Sequence, residues 1–193
     1  MTRDPAYRKE RGMGVSDIVI VSGSPSSISK SERILYYLGD LVKQEGFLIK
    51  HISVKGVDAK DLLFGNFESP EIKEIARRLG KAKGVIVGSP VYKASYSGVL
   101  KALFDILPQD VLQDTPVLPV MTGGSPSHLL ALEYTLKPLL ASMKAQNLKG
   151  LYFQDSQLDM TSDHLIADES MLNRTNKQIE YFLGKIRREQ PVF

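Results

Sequence analysis

Alternation constrains this chain more than any other feature. Continuous apolar runs such as Asp17-Ile-Val-Ile-Val-Ser22, Gly84-Val-Ile-Val-Gly88 and Thr115-Pro-Val-Leu-Pro-Val-Met121 read as buried strands. Between them, apolar residues recur at helical spacing: Ile34, Leu35, Leu38 and Leu41 in one stretch, Ile72, Ile75, Ala76 and Leu79 in the next. Phe47–Val54 and Gly150–Gln154 add a second and a fifth strand. Helices are predicted over Pro70–Lys81, Gly98–Leu107, about Ser127–Gln146 and 170–188. Residues 55–69 read as a long connection whose Leu62, Leu63, Phe64 and Phe67 should pack on the sheet edge or on a partner subunit. Strand–helix alternation five times over predicts an α/β fold, a five-stranded parallel sheet with helices on both faces. The simplest winding is 2-1-3-4-5. Its crevice lies beyond the carboxyl ends of strands one and three, where the order reverses.

A chain of 193 residues holds one sizeable core, so 16–193 reads as a single domain, with 1–15 as a disordered leader. Met13 is a candidate alternative start. The pI near 9.0 suggests a nucleic-acid partner, but the charge is unevenly placed. Arg3, Arg8, Lys9 and Arg11 against Asp4 and Glu10 give the first dozen residues +2, leaving +1 of the total +3 for the rest. No basic patch interleaved with aromatics follows, which argues against nucleic acid. With no cysteine there are no disulfides, thiolate metal sites or cysteine nucleophiles, and a cytoplasmic setting fits. Three scattered histidines make no metal cluster. No apolar run approaches a membrane span.

The loops at the strand carboxyl ends are the unusual ones: 22–31, 88–98 and 121–127. Gly23-Ser-Pro-Ser-Ser-Ile-Ser-Lys-Ser31 sits between a strand and a helix and gathers hydroxyls, Lys30 and the free N–H groups of a helix start, a natural phosphate site. Ser29 and Glu32 also fit a capping box, and both roles can hold at once. There is no G-x-x-x-x-G-K-[ST] loop and no G-x-G-x-x-G. A serine-lined turn with little glycine suits one terminal phosphate, as in FMN.

With these loops in view, the sequence resembles the NADPH-dependent FMN reductase family, on a flavodoxin-like fold. Pro90, Tyr92, Gly98, Lys101 and Asp105 match the P-x-Y, glycine, lysine and aspartate pattern; Gly23-Ser-Pro25 and Thr122-Gly-Gly124 match too. Pro90–Gly98, His128-Leu-Leu-Ala131 and Leu136-Lys-Pro138 resemble the reductases that serve alkanesulfonate monooxygenases. Similarity runs from about Ile18 to Met160.

The resemblance implies that Ser24, Ser29, Lys30 and Ser31 hold the FMN phosphate, although Ser26 stands where family members often carry arginine. It implies that Pro90, Val91, Tyr92 and Lys93 border the isoalloxazine edge and that Ser97 reaches the ribityl chain or phosphate. Thr122, Gly123 and Gly124 would approach the pyrimidine end. It further implies hydride transfer from NADPH to flavin N5, no acid–base catalytic residue, and a flavin-dependent monooxygenase partner taking the released FMN. NADPH over NADH rests on the family alone.

Blander roles remain open. Gly123-Gly124 also suits a plain turn, Tyr92 a packed aromatic, Lys101 and Asp105 a structural pair. His51 reads as a surface or packed residue, and His128 as a possible ligand neighbour. Pro138 interrupts the predicted 127–146 helix, and a π-type bulge at Tyr134 would relieve it. In the alkanesulfonate-type reductases such a tyrosine is associated with a π-helix at a subunit interface; a simple proline kink is the other possibility. The family forms dimers and tetramers, so the resemblance implies a homo-oligomer, expected to be a homotetramer, with the Tyr96 and Tyr134 region as a candidate contact. Competing functions are an FMN-bound quinone or azo reductase and a flavodoxin-like electron carrier.

Overall fold

The structure is a computed structural model that describes residues 17–162 and 164–188. The leader proposed for 1–15 lies outside them. β1 (Ile18–Ser22) pairs in parallel with β2 (Ile49–Ser53) on one side and β3 (Gly84–Pro90) on the other. β3 pairs with β4 (Pro116–Gly123), which closes the order β2-β1-β3-β4-β5. The doubly wound, flavodoxin-like topology expected from alternation is therefore the one observed.

The strand side chains divide between two layers with period two. Val19, Val21, Val85, Val87 and Val117 face one core with α3 (Pro70–Gly80), α4 (Gly98–Asp105) and the chain after β4. Ile18, Ile20, Ile86, Leu118 and Val120 face the other, covered by α1 (Lys30–Gln44) and the C-terminal α7 (Glu169–Arg188). Branched side chains on both faces explain why these strands lack polar alternation.

The fifth strand position departs from the sequence reading. Two segments fill it, β5 (Gln146–Asn147) and β6 (Leu151–Gln154), both parallel to β4. Pro119 accounts for the break. Val117 accepts a hydrogen bond from the Leu148 N–H (2.9 Å), so Pro119, two residues on, turns the same edge outward without an N–H to offer. Gly150 crosses this gap at φ +81, and a Cβ there would lie 2.8 Å from the Pro119 carbonyl oxygen.

The 55–69 connection is not a plain loop: it holds a 3₁₀ turn at Val54–Gly56 and α2 (Ala59–Phe64). Asp58 caps α2 by accepting from the Lys60 N–H (2.8 Å), and Gly65 ends it in the left-handed region. Leu62 packs on the core, but Leu63, Phe64 and Phe67 are exposed rather than laid on the sheet.

The predicted 127–146 helix is shorter and interrupted. A 3₁₀ turn (Pro126–His128) leads into α5 (Leu129–Ala131), a π turn over Leu132–Leu136 and α6 (Lys137–Ser142). Pro138 cannot donate to Tyr134. Instead the Lys137 N–H reaches back five residues to Leu132 O, and the Thr135 hydroxyl donates to Ala131 O (2.6 Å). Tyr134 stands at the centre of the π turn, 75% exposed.

Candidate functional site: a cleft at the sheet's carboxyl rim

Strand register brings the three unusual loops level. Ser22 stands opposite Gly88, Pro90 opposite Thr122, and Gly123 opposite Gln154. The Val91 N–H then donates to Thr122 O (2.8 Å), stapling the second loop to the third. Between them lies an open cleft of about 380 Å³, lined by Ser24, Ser29, Lys30, Ser31, Pro90, Val91, Tyr92, Thr122, Gly123 and Gly124. Ten of the twelve residues assigned to flavin from the sequence thus share one cavity.

The first loop is organised by hydroxyls. Ser29 is the N-cap of α1, accepting from the Glu32 N–H (3.1 Å), and its Oγ lies 2.9 Å from that of buried Ser31. Ser24 accepts from the Ser26 N–H (3.3 Å). Glu32 does not complete a reciprocal box: its carboxylate takes the Ser53 hydroxyl (3.2 Å) and Lys55, tying the helix start to the end of β2. Lys30 and Ser31 head the helix at the positive end of its dipole, so their N–H groups have no intrahelical carbonyl, and both residues line the cleft.

Two assignments do not join the cavity. Ser97 is buried, and its hydroxyl donates to Gly23 O while accepting from the Leu100 N–H (3.1 Å) as the N-cap of α4. With its one proton donated to Gly23 O and its oxygen capping α4, it splices the end of β1 to α4 and does not line the cleft. Lys93 is exposed and outside the lining. Tyr92 and Ser95 exchange backbone hydrogen bonds (2.8 and 3.0 Å) across a two-residue turn with Lys93 at φ +48 and Ala94 at φ +61. That turn belongs to the type usually given to Asn-Gly, and it carries Lys93 away while holding half-exposed Tyr92 at the rim.

Glycine has separate reasons in the third loop. A Cβ on Gly123 would meet His128 Nδ1 at 2.8 Å and the Tyr152 hydroxyl at 2.9 Å, so packing behind the loop excludes a side chain there. Around Gly124 the nearest such atom is Asp155 Oδ2, 3.9 Å away, leaving its cleft side open for a planar ligand to approach the backbone.

Sequence reasoning missed Ser26, Ile28, Asp155 and Met160, which also line the cleft. Asp155 directly follows β6, so the rule that pointed to the other loops, the carboxyl end of each strand, applies to it as well. It forms an ion pair with Lys30 at 3.1 Å. Tyr152 donates to Ser125 O and ties β6 to the third loop. Burial first, then the neighbouring Asp155 carboxylate, push this phenol up, which keeps it a donor. Lys101 and Asp105 form an exposed pair one turn apart on α4, outside the cleft.

A doubly wound parallel sheet whose cleft lies where the winding reverses, with the capped start of α1 on one side, places the protein in the flavodoxin-like class. The chain belongs to the NADPH-dependent FMN reductase family, whose model matches residues 16–158. It is accordingly an oxidoreductase that works with FMN and a nicotinamide dinucleotide.

Among its relatives, an Escherichia coli (strain K12) FMN reductase (NADPH) is 42% identical over 142 residues, covering 73% of this chain and 74% of that one. A Pseudomonas putida (strain KT2440) FMN reductase (NADPH) is 37% identical over 179 residues and 91% of both chains. The apo crystal structure of the NADH:FMN oxidoreductase EMOB superposes with a TM-score of 0.79, at 35% identity over 92% of both chains. No helix among the described residues is long and apolar enough to cross a membrane.

Proposed function

We propose that this chain reduces free FMN with NADPH in the cytoplasm and releases it to a flavin-dependent monooxygenase of the alkanesulfonate type. The observation that carries this is the make-up of the cleft: one helix start, two open loops beside it and, among the described lining residues, no second α-helix start that could cradle another phosphate. When bound, FMN supplies N5 as the acceptor of the nicotinamide hydride. The residues of the chain position and polarise. Ser24, Ser29, Ser31 and Lys30, with the α1 N–H groups, bind the phosphate. Pro90, Val91 and Tyr92 limit sliding of the ring. The Gly123 and Gly124 N–H groups face the pyrimidine end, where preorganised donors favour the negative charge of reduction. None of these tasks requires a proton-transfer side chain.

Release to a partner gives the π turn a purpose. Leu130 and Tyr134 stand exposed on the β4–β5 helix, which begins at the loop facing the ring. Leu63, Phe64 and Phe67 form a second exposed apolar group. In this proposal they are contacts of a homotetramer, and Tyr134, raised by the Pro138 interruption, couples assembly to flavin exchange. Tyr96 is half-buried against its own core and contributes less.

The decisive experiment is NADPH oxidation with and without added FMN, alongside a spectrum of the purified protein. Colourless protein that turns over only with FMN supports release. Yellow protein that reduces quinones without added flavin replaces it with a bound-flavin reductase. Tyr134→Ala should shift sedimentation below the tetramer and retain more flavin; unchanged assembly and flavin content refute the role given to Tyr134.

A further inference from the structure

Given the flavin-phosphate site proposed above, we infer that Asp155 sets how tightly that phosphate is held. Its carboxylate competes with the phosphate for Lys30 and keeps FMN exchangeable. Among the described residues that line the cleft, Lys30 and Asp155 carry the only full charges, and they are already joined at 3.1 Å. No arginine is among the described residues that line it. A phosphate monoester, at nearly two negative charges, therefore meets an ammonium group that is already neutralised. What remains attractive is the α1 helix start and its hydroxyls.

Asp155 is placed for this by structure independent of α1. It opens the 3₁₀ turn Asp155–Gln157, whose carbonyl accepts from the Leu158 N–H, and Gln157 turns back to accept from the Gln154 N–H (2.9 Å). The carboxylate thus projects from the end of β6 towards Lys30 on one side and Gly124 on the other. The other acid near the helix start, Glu32, is taken up by Lys55 and Ser53 and does not compete for Lys30. Both partners of the Lys30–Asp155 pair are about two-fifths exposed, so water can replace either contact when a ligand arrives. Phosphate entry exchanges one ion pair for another and leaves Asp155 as a like charge beside the ligand. That arrangement lowers affinity for flavins that carry a phosphate and leaves phosphate-free flavin untouched.

The test is flavin-fluorescence quenching, titrating FMN and riboflavin with the full chain and its variants at fixed ionic strength. Asp155→Asn should tighten FMN about tenfold and leave riboflavin unchanged, since only FMN carries the charge that Asp155 opposes. Asp155→Ala should do the same, which excludes a new bond made by the asparagine. Lys30→Met should weaken FMN about tenfold, again sparing riboflavin. If Lys30→Met shifts the FMN-to-riboflavin ratio but neither Asp155 variant does, the competition is refuted and the phosphate site stands. A gain shared equally by FMN and riboflavin also refutes it. If Lys30→Met leaves the ratio at its wild-type value, Lys30 takes no part in holding the phosphate and the competition falls; if Ser29→Ala leaves it unchanged as well, the phosphate lies elsewhere and the site falls too.

Discussion

Two helices leave this sheet on opposite faces, each from a strand whose carboxyl end opens on the cleft, and they are built in contrary ways. α1 is regular for 15 residues, carries a serine N-cap and lies tight on the sheet. Gly88 accepts Leu35 so closely that a Cβ there would stand 2.7 Å from its methyls, and Gly39 lets the helix settle over Ile20, Ile49 and His51. The segment after β4 changes from 3₁₀ to α to π and back to α within 17 residues, Pro126 to Ser142. Its buried Leu132, Leu136 and Leu140 recur every four residues, which keeps one face on the core while the intervening turn swells outward. The first helix spends its regularity on a fixed N-terminus, which an anion site needs. The second gives up regularity and gains an exposed Tyr134.

If that contrast is physical, the two helices should respond differently to the same injury. Leu35 and Leu136 are both fully buried. Leu35→Ala should cost about 3 kcal/mol in urea unfolding, because the surrounding contacts hold the cavity open. Leu136→Ala should cost about 1 kcal/mol less, since a helix already broken can shift to fill the space. Equal losses would mean that the π turn is as rigid as a plain helix.

A smaller effect separates the two starts. Ser29→Ala removes the cap of a long helix and should lower stability by about 1 kcal/mol. It should also weaken FMN without weakening riboflavin. Ser125 caps only a three-residue 3₁₀ turn, accepting from the Ser127 N–H at 3.3 Å. Ser125→Ala should cost no more than about 0.5 kcal/mol by the same unfolding measurement. A Ser125 loss as large as that of Ser29 would erase the distinction between the helix starts.

The strands and α1 were legible because each rests on a local rule that nothing long-range overrides. Branched runs make buried strands, and Ser29 placed before Ile34 and Leu35 makes a capped helix. The crevice was legible through topology, since the winding reversal places three loops together whatever their contents. The break between β5 and β6 was not, because it depends on which edge of β4 Pro119 presents, and register decides that. That Ser97 would sit outside the cleft was not legible, because a serine before a helix looks the same whether it caps or lines a site; the Gly23 carbonyl beside it becomes visible only in the fold. Nor was it legible that Lys93 would turn away from the cleft lining: neither it nor Ala94 announces a left-handed turn as Asn-Gly would. The pairing of Glu32 with Lys55 and Ser53 instead of the helix N-cap needed the end of β2 in place.

The smallest prediction uses a proton to probe α1 without touching it. His51 on β2 stacks on Tyr36 of α1, with ring centroids 4.5 Å apart, and its Nε2 is buried without a hydrogen-bond partner. Burial first, then Lys43, hold its pKa below the ordinary 6.5, with Asp40 and Glu32 pulling the other way and Lys50 adding to the depression. The unfolded chain takes up a proton near 6.5, while the folded one resists until the pH is lower. Stability should therefore be level in this respect above about pH 6.5 and fall as the pH drops through the window below it. His51→Gln should flatten that part of the profile while leaving the acid-induced loss at lower pH, which carboxylates dominate. Chemical unfolding at pH 7, 6 and 5 measures the slope. If the variant keeps the wild-type slope, the tight seat of α1 on β2 does not exclude the proton, and the rigidity assigned to this helix loses its support on that side.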